Sequence, residues 1–307
     1  MTTPNQLQLE RGTTIFGKWQ KQKYVVERLL GEGANGQVYL VHHKREQYAL
    51  KIGFDVVDLQ AEANVLRMIA KQQPELYIQL LDVDDVQLPT GESHPFYIMR
   101  FVEGVTVTQF LQQQSVDWFP LIGLHLLEKL SKLHQIGWIF GDVKADNILV
   151  SKYGKAELVD YGGATEFGKS VRQFTEIYDR GYWNAGSRSA DFKYDLFSFA
   201  VLAVQLLEPE KLNAITKQSL PQNRSISNLL DIAENNGQLK QVAPWLHKAL
   251  HGQFVHSEES LALWRSLLRQ HHRKKVAVNR LPLWLKGLAA ISGAMLAGAT
   301  FIWFIGL

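Results

Sequence analysis

The residues of this chain best suited to chemistry stand together in Ile139-Phe140-Gly141-Asp142-Val143-Lys144-Ala145-Asp146-Asn147-Ile148-Leu149-Val150. An aspartate, a lysine two residues on and an asparagine five residues on are flanked by apolar, strand-forming residues, a setting a solvated loop does not need. Asp142 could accept the proton of a hydroxyl. Lys144 could steady a transferring phosphoryl group, and the Asn147 amide oxygen could ligate a hard cation such as Mg2+. Asp160, in Val159-Asp160-Tyr161-Gly162-Gly163, closes another apolar stretch and is suited to a second metal contact.

A glycine cluster lies far upstream: Gly31-Glu32-Gly33-Ala34-Asn35-Gly36-Gln37-Val38, preceded by Leu30. Alone, such a cluster marks a turn. A dinucleotide-binding fingerprint would need a helix directly after it. Here Val38-Tyr39-Leu40-Val41 continues as strand, which suits a hairpin whose backbone N–H groups approach phosphates. Tyr48-Ala49-Leu50-Lys51 follows, with Lys51 fifteen residues after Gly36. On the next helix Glu62 shares a face with Leu59, Val65, Leu66 and Ile69. A carboxylate in an apolar stripe is costly unless paired. Lys51 is its natural partner, although a glutamate at the stripe's margin could also reach water.

The elements that must hold these groups read as strands first and helices after. Residues 24–55 alternate and are rich in Val, Tyr and Gly, and Phe96–Val102 is a further strand. Asp55–Gln73 and Phe119–Gln135 have helical apolar spacing, and helices dominate beyond Asp195. This order predicts an α+β fold in two lobes. The 307 residues are 46% hydrophobic and 21% charged, which excludes a largely disordered chain, and they include no cysteine. Disulfides, thiol nucleophiles and Cys-ligated metals are therefore excluded. No apolar run of signal-peptide length opens the chain. Between Arg265 and Lys286 stand seven Lys/Arg and no Asp/Glu, whereas residues 1–264 carry 26 basic and 30 acidic residues. From Gly287 to Leu307 there are 21 uncharged residues, about 30 Å as a helix, which predicts a membrane span with Trp284 and Trp303 near its two interfaces.

In motif order and spacing the chain resembles the Hanks-type protein kinases over about residues 24–270. The resemblance implies the two-lobed protein kinase fold, with a β-rich N-lobe and a helical C-lobe, and implies ATP and Mg2+. It makes Asp142 the catalytic base, aided by Lys144, Asn147, Lys51 and Glu62, and gives the metal to Asn147 and Asp160. Nucleotide would be held by Leu30, Gly31, Glu32, Gly33, Ala34, Asn35, Gly36, Gln37, Val38, Ala49, Lys51, Met99 and Phe101. Met99 becomes the gatekeeper of a hinge at Phe96–Val102, and Asp195 the brace of the catalytic loop. Lys144 is similar to the serine/threonine subclass. More narrowly, GTTIFGKW at 12–19, GEGANGQVYL at 31–40, GWIFGD at 137–142 and FTEIYDRGYW at 174–183 resemble the YabT-like bacterial kinases. That group has a cytoplasmic kinase, a basic stretch and one C-terminal membrane helix.

The implied layout is a lead-in at 1–22, N-lobe at 23–103, C-lobe at 104–270, basic linker at 271–282 and transmembrane helix at 283–307. Proteins, itself included, would be the substrates. The basic linker could hold anionic lipid or nucleic acid, or serve only as a positive-inside signal. Ala290, Ala294 and Gly298 form a small-residue stripe that could pair two copies as a homodimer. Departures from the family are Gly141 for its arginine, Tyr161 for its phenylalanine, and Asn184-Ala185-Gly186 where Ala-Pro-Glu is expected, with no arginine at 252–260 to pair that glutamate. Counting back from Gly186 makes Thr175 the activation-loop phosphothreonine, with Thr165 and Ser170 less well placed and Arg172 or Arg180 as alternative clamps. A pseudokinase scaffold and a small-molecule phosphotransferase stay open as alternatives.

Overall fold

Alternating Val, Tyr and Leu side chains from Lys23 to Gly53 build the centre of a six-stranded antiparallel sheet. A computed structural model of the chain describes residues 9–33, 35–76, 79–87, 91–172, 175–278 and 283–306. The sheet comprises β1 (Thr14–Phe16), β2 (Lys23–Gly33), β3 (Gly36–His43), β4 (Glu46–Gly53), β5 (Leu80–Gln87) and β6 (Ser93–Arg100), in the order β1-β2-β3-β4-β6-β5. The expected lead-in at 1–22 is therefore structured in its second half. Ile15 is buried in the sheet core, the Gly12 N–H donates to the Val26 carbonyl at 2.8 Å, and Asp84 accepts from the Trp19 and Gln20 backbones. A three-residue strand is too short to show a period, which is why the sequence reads there as loop.

Helix α1 (Val56–Gln72) crosses from β4 to β5. Asp55 caps it, accepting from the Val57 and Asp58 N–H groups at 2.7 and 2.9 Å. Its buried face is Leu59, Glu62, Ala63, Val65, Leu66 and Ile69, the expected stripe with its carboxylate.

The helical lobe begins with β7 (Val105–Thr106), α2 (Val107–Gln113) and α3 (Phe119–Gln135), the last with the expected limits. Short strands β8 (Trp138–Ile139), β9 (Ile148–Val150), β10 (Ala156–Leu158) and β11 (Thr165–Glu166) carry the chemistry-bearing loops. Helix α4 (Phe192–Leu207) forms the lobe's core and begins four residues before the expected Leu196, capped by Asp191. Helices α5 (Pro209–Gln218), α6 (Ile226–Glu234), α7 (Gly237–Gln241) and α8 (Ala243–Leu250) pack around it, and α9 (Ser257–Val278) follows. Trp245, Trp264, Phe119 and Phe199 meet as an aromatic cluster, with the Trp245 and Trp264 rings 5.2 Å apart and edge-on.

Two units divide the chain, Met1–Trp264 and Arg265–Leu307. The second holds the rest of α9 and α10 (Leu283–Ile305). The basic stretch expected as a linker is helical as far as Val278, because Lys, Arg and Ala are good helix formers even without an apolar stripe. Residues 279–282 and the side chains of the remaining basic residues lie outside the described set. Gly287–Ile305 is long and apolar enough to cross a membrane.

Candidate active site

Antiparallel register puts Lys51 between Val38 of β3 and Tyr97 of β6. Lys51 is buried, and its Nζ donates to both carboxylate oxygens of Glu62 at 2.8 Å and to Asp160 Oδ1 at 3.1 Å. Burial alone would lower the Lys51 pKa, but the Asp160 and Glu62 carboxylates outweigh it and raise it. Burial, with the Asp160 charge, leaves the Glu62 pKa above the usual carboxylate range despite Lys51. Asp160, half exposed, is lowered because Lys51 and the Gly162 N–H overcome its desolvation.

Sequence spacing identified this cluster well but missed one member. Tyr97 was legible only as an apolar strand residue, yet its buried hydroxyl donates to Glu62 Oε1 at 2.8 Å. Only the β4–β6 register, a long-range fact, reveals it.

The Gly-rich hairpin closes with Gly33 opposite Gly36, so strand follows strand and the dinucleotide fingerprint is excluded. A Cβ at Gly36 would meet the Ile52 carbonyl oxygen at 2.1 Å, so close packing on β4 requires that glycine. Leu30, Gly31, Glu32, Gly33, Asn35, Gly36, Val38, Ala49, Lys51, Met99 and Phe101 line one cavity of about 1100 Å3, joined by Val102 and Leu149. Gln37 does not. It is buried on the other face of β3, where Tyr39 donates to its Oε1 at 2.9 Å, as strand alternation requires. Ala34 lies outside the described residues.

The catalytic-loop residues converge on the same cavity. Lys144 Nζ reaches Asp142 Oδ2 at 2.6 Å, and the Asn147 Nδ2 donates to the Asp142 carbonyl at 2.9 Å and to Oδ2 at 3.0 Å. With its nitrogen so engaged, Asn147 has its amide oxygen left for a cation. Asp160 takes the left-handed conformation at φ 62°, a costly backbone for a non-glycine residue. Asp195, fully buried, fixes the loop from below by accepting from Phe140 N at 2.7 Å, Gly141 N at 2.9 Å and His134 Nε2 at 2.9 Å. Gly141 stands at φ 79°, and a Cβ there would meet the Gly163 carbonyl oxygen at 2.3 Å. Its glycine is thus a fitted part of this arrangement as well as the loss of an arginine. Phe140 and Tyr161 pack edge-on at 5.2 Å.

Thr175 lies beside Asp142. Its hydroxyl donates to Asp142 Oδ1 at 3.3 Å, and Arg172, the other candidate clamp, lines the same cavity. The segment after it is anchored without the usual glutamate–arginine pair. Buried Arg180 holds Asp191 bidentately at 2.9 and 2.8 Å, Arg188 pairs with buried Asp179, and buried Arg224 reaches Glu176 at 2.7 Å. Arg180 is therefore committed and is no alternative clamp. Removing the hydroxyl in Thr175→Ala is expected to lower kcat about fivefold, one ordinary hydrogen bond, while Thr175→Ser keeps most activity. Thr175→Glu should do worse than Ala, since it sets a like charge against Asp142. A fully active Thr175→Glu protein would refute this placement.

Residues 24–281 match the protein kinase domain family, and the chain belongs to it. It is 34% identical over 255 residues to the serine/threonine-protein kinase YabT of Bacillus subtilis, covering 82% of this chain and 73% of that one. The serine/threonine-protein kinase pakB of Dictyostelium discoideum is 27% identical over 210 residues, which are 66% of this chain but only 24% of pakB. Among solved structures, vaccinia related kinase 3 superposes with a TM-score of 0.62 at 14% identity, over 86% of this chain and 92% of that one. The Mycobacterium tuberculosis PknI kinase domain gives 0.50 at 22% identity, over 85% and 100%. At these identities the two structures speak for the fold, a sheet-rich lobe and a helical lobe.

Proposed function

We propose that the chain is a serine/threonine protein kinase that transfers the γ-phosphoryl group of MgATP to protein hydroxyls, its own included, at the cytoplasmic face of a cell membrane. The observation that carries this reading is the convergence of Asp142, Lys144, Asn147, Asp160 and Lys51 on one cavity. Its kinship with YabT supports the serine/threonine class. Nothing favours a pseudokinase or a small-molecule phosphotransferase.

Val38, Ala49 and Leu149 offer apolar walls for adenine, and Met99–Val102, where β6 ends, line the cavity beside it. Lys51, held by Glu62, would bind the phosphates. Asp142 orients the acceptor hydroxyl and takes its proton, and Lys144 balances charge on the transferring group. The donor set of Asn147 and Asp160, one amide and one carboxylate oxygen, fits Mg2+, which when bound neutralises phosphate charge. Among the described residues no cluster of three or more His, Asp or Glu could hold a metal unaided, so the nucleotide would complete the shell.

Incubating the full chain with γ-labelled ATP and a generic protein substrate should yield phosphoserine and phosphothreonine. Label found only on small molecules would overturn the reading.

Helix α10 would anchor the enzyme, with the basic segment before it on the cytoplasmic side against anionic headgroups. The stripe of Ala290, Ala294 and Gly298 would let a second copy pack closely. In right-side-out vesicles the kinase should resist added protease. Its digestion there would reverse the orientation.

A further inference from the structure

We infer that Tyr97 is a positioning residue that fixes Glu62, and through it Lys51 and α1, in the arrangement used for phosphoryl transfer. The inference rests on the site roles proposed above. Tyr97 is 1% exposed and lies directly opposite Lys51 in the β4–β6 register. Its hydroxyl donates to Glu62 Oε1 at 2.8 Å, beside the Lys51 ammonium that holds both Glu62 oxygens at the same distance.

Glu62 is a buried carboxylate, and a buried carboxylate needs donors for its lone pairs. Lys51 cannot be its only one. That ammonium is shared with Asp160 at 3.1 Å, and its assigned task is to meet phosphates. The Tyr97 hydroxyl has no competing partner among the described residues. Burial and the neighbouring Glu62 charge hold its pKa well above the ordinary tyrosine value, so it remains a donor. It therefore ties α1 to β6 whether or not Lys51 is drawn toward a nucleotide.

This tie matters more here because another device is absent. Gly141 offers no side chain to read a phosphate on the activation segment. A side chain built into the sheet thus contributes to the placement of α1.

The test is Tyr97→Phe in the full chain in detergent micelles, which removes one oxygen and keeps the ring. The expected result is a loss of about tenfold in kcat, in the range of a hydrogen bond to a charged group, with the Kd for a fluorescent ATP analogue changed less than twofold. Packing alone would not discriminate between partners, so the same change is made in a Glu62→Ala background, which has no acceptor for the hydroxyl, measured by single-turnover transfer. A hydroxyl acting through Glu62 should cost much less there. Amide exchange of α1 should also quicken in Tyr97→Phe. Wild-type kcat in Tyr97→Phe, or an equal loss in both backgrounds, would overturn the inference. Activity surviving in Asp142→Asn would instead sink the site assignment itself, so the two failures are distinguishable.

Discussion

Asp142→Asn should lower kcat by at least about a thousandfold, within the range general-base catalysis supplies, and leave nucleotide affinity within about twofold. The surroundings make this a clean substitution. Lys144 and Asn147 both donate to Asp142 Oδ2, so an asparagine can present its oxygen there. Its NH2 group would then face the Thr175 hydroxyl, which can accept as well as donate. Fold and packing are preserved, and what disappears is the ability to take a proton. In the proposed site Lys51, Asp160 and the Gly-rich hairpin would still hold nucleotide. Radiolabelled autophosphorylation and analogue binding, measured on one preparation, separate the two effects. Near wild-type autophosphorylation would remove Asp142 from the role of base.

Asp195→Ala should be as damaging by a different route. Asp195 is 0% exposed and accepts three hydrogen bonds, two from the backbone N–H groups of Phe140 and Gly141 and one from His134. Alanine strands those donors in a dry core, where each unsatisfied group costs roughly 1–3 kcal/mol. A total of about 3–5 kcal/mol corresponds to a fall in the thermal midpoint of roughly 6–20 °C for a domain of this size. The catalytic loop would lose its floor one residue before Asp142, and a shift of about 1 Å there is worth a hundredfold in rate. Asp195→Asn, which keeps one acceptor oxygen, should fall between. An Asp195→Ala enzyme with normal kcat and melting would show that the loop is positioned by other contacts.

Much of this was readable in the residues. Helix α3 was legible to its last residue because its apolar spacing is regular, and the Lys51–Glu62 pair because a carboxylate on an apolar stripe demands a cation. What escaped was of three kinds. Strand β1 is too short to carry a period, and the extension of α9 to Val278 has propensity without one. Tyr97 depends on which residues of β4 and β6 stand opposite, which no local pattern encodes. Gln37 was misassigned by counting along a family motif. Alternation in β3 turns Gln37 away from the cavity.

The three ion pairs of the segment after Thr175 reach beyond catalysis. Arg180–Asp191, Arg188–Asp179 and Arg224–Glu176 hold it through side chains alone. None of these pairs contains a hydroxyl, so none is made or unmade by adding or removing a phosphate. The hold on this stretch is therefore in place as soon as the chain folds, inherited with the sequence and not written onto it afterwards.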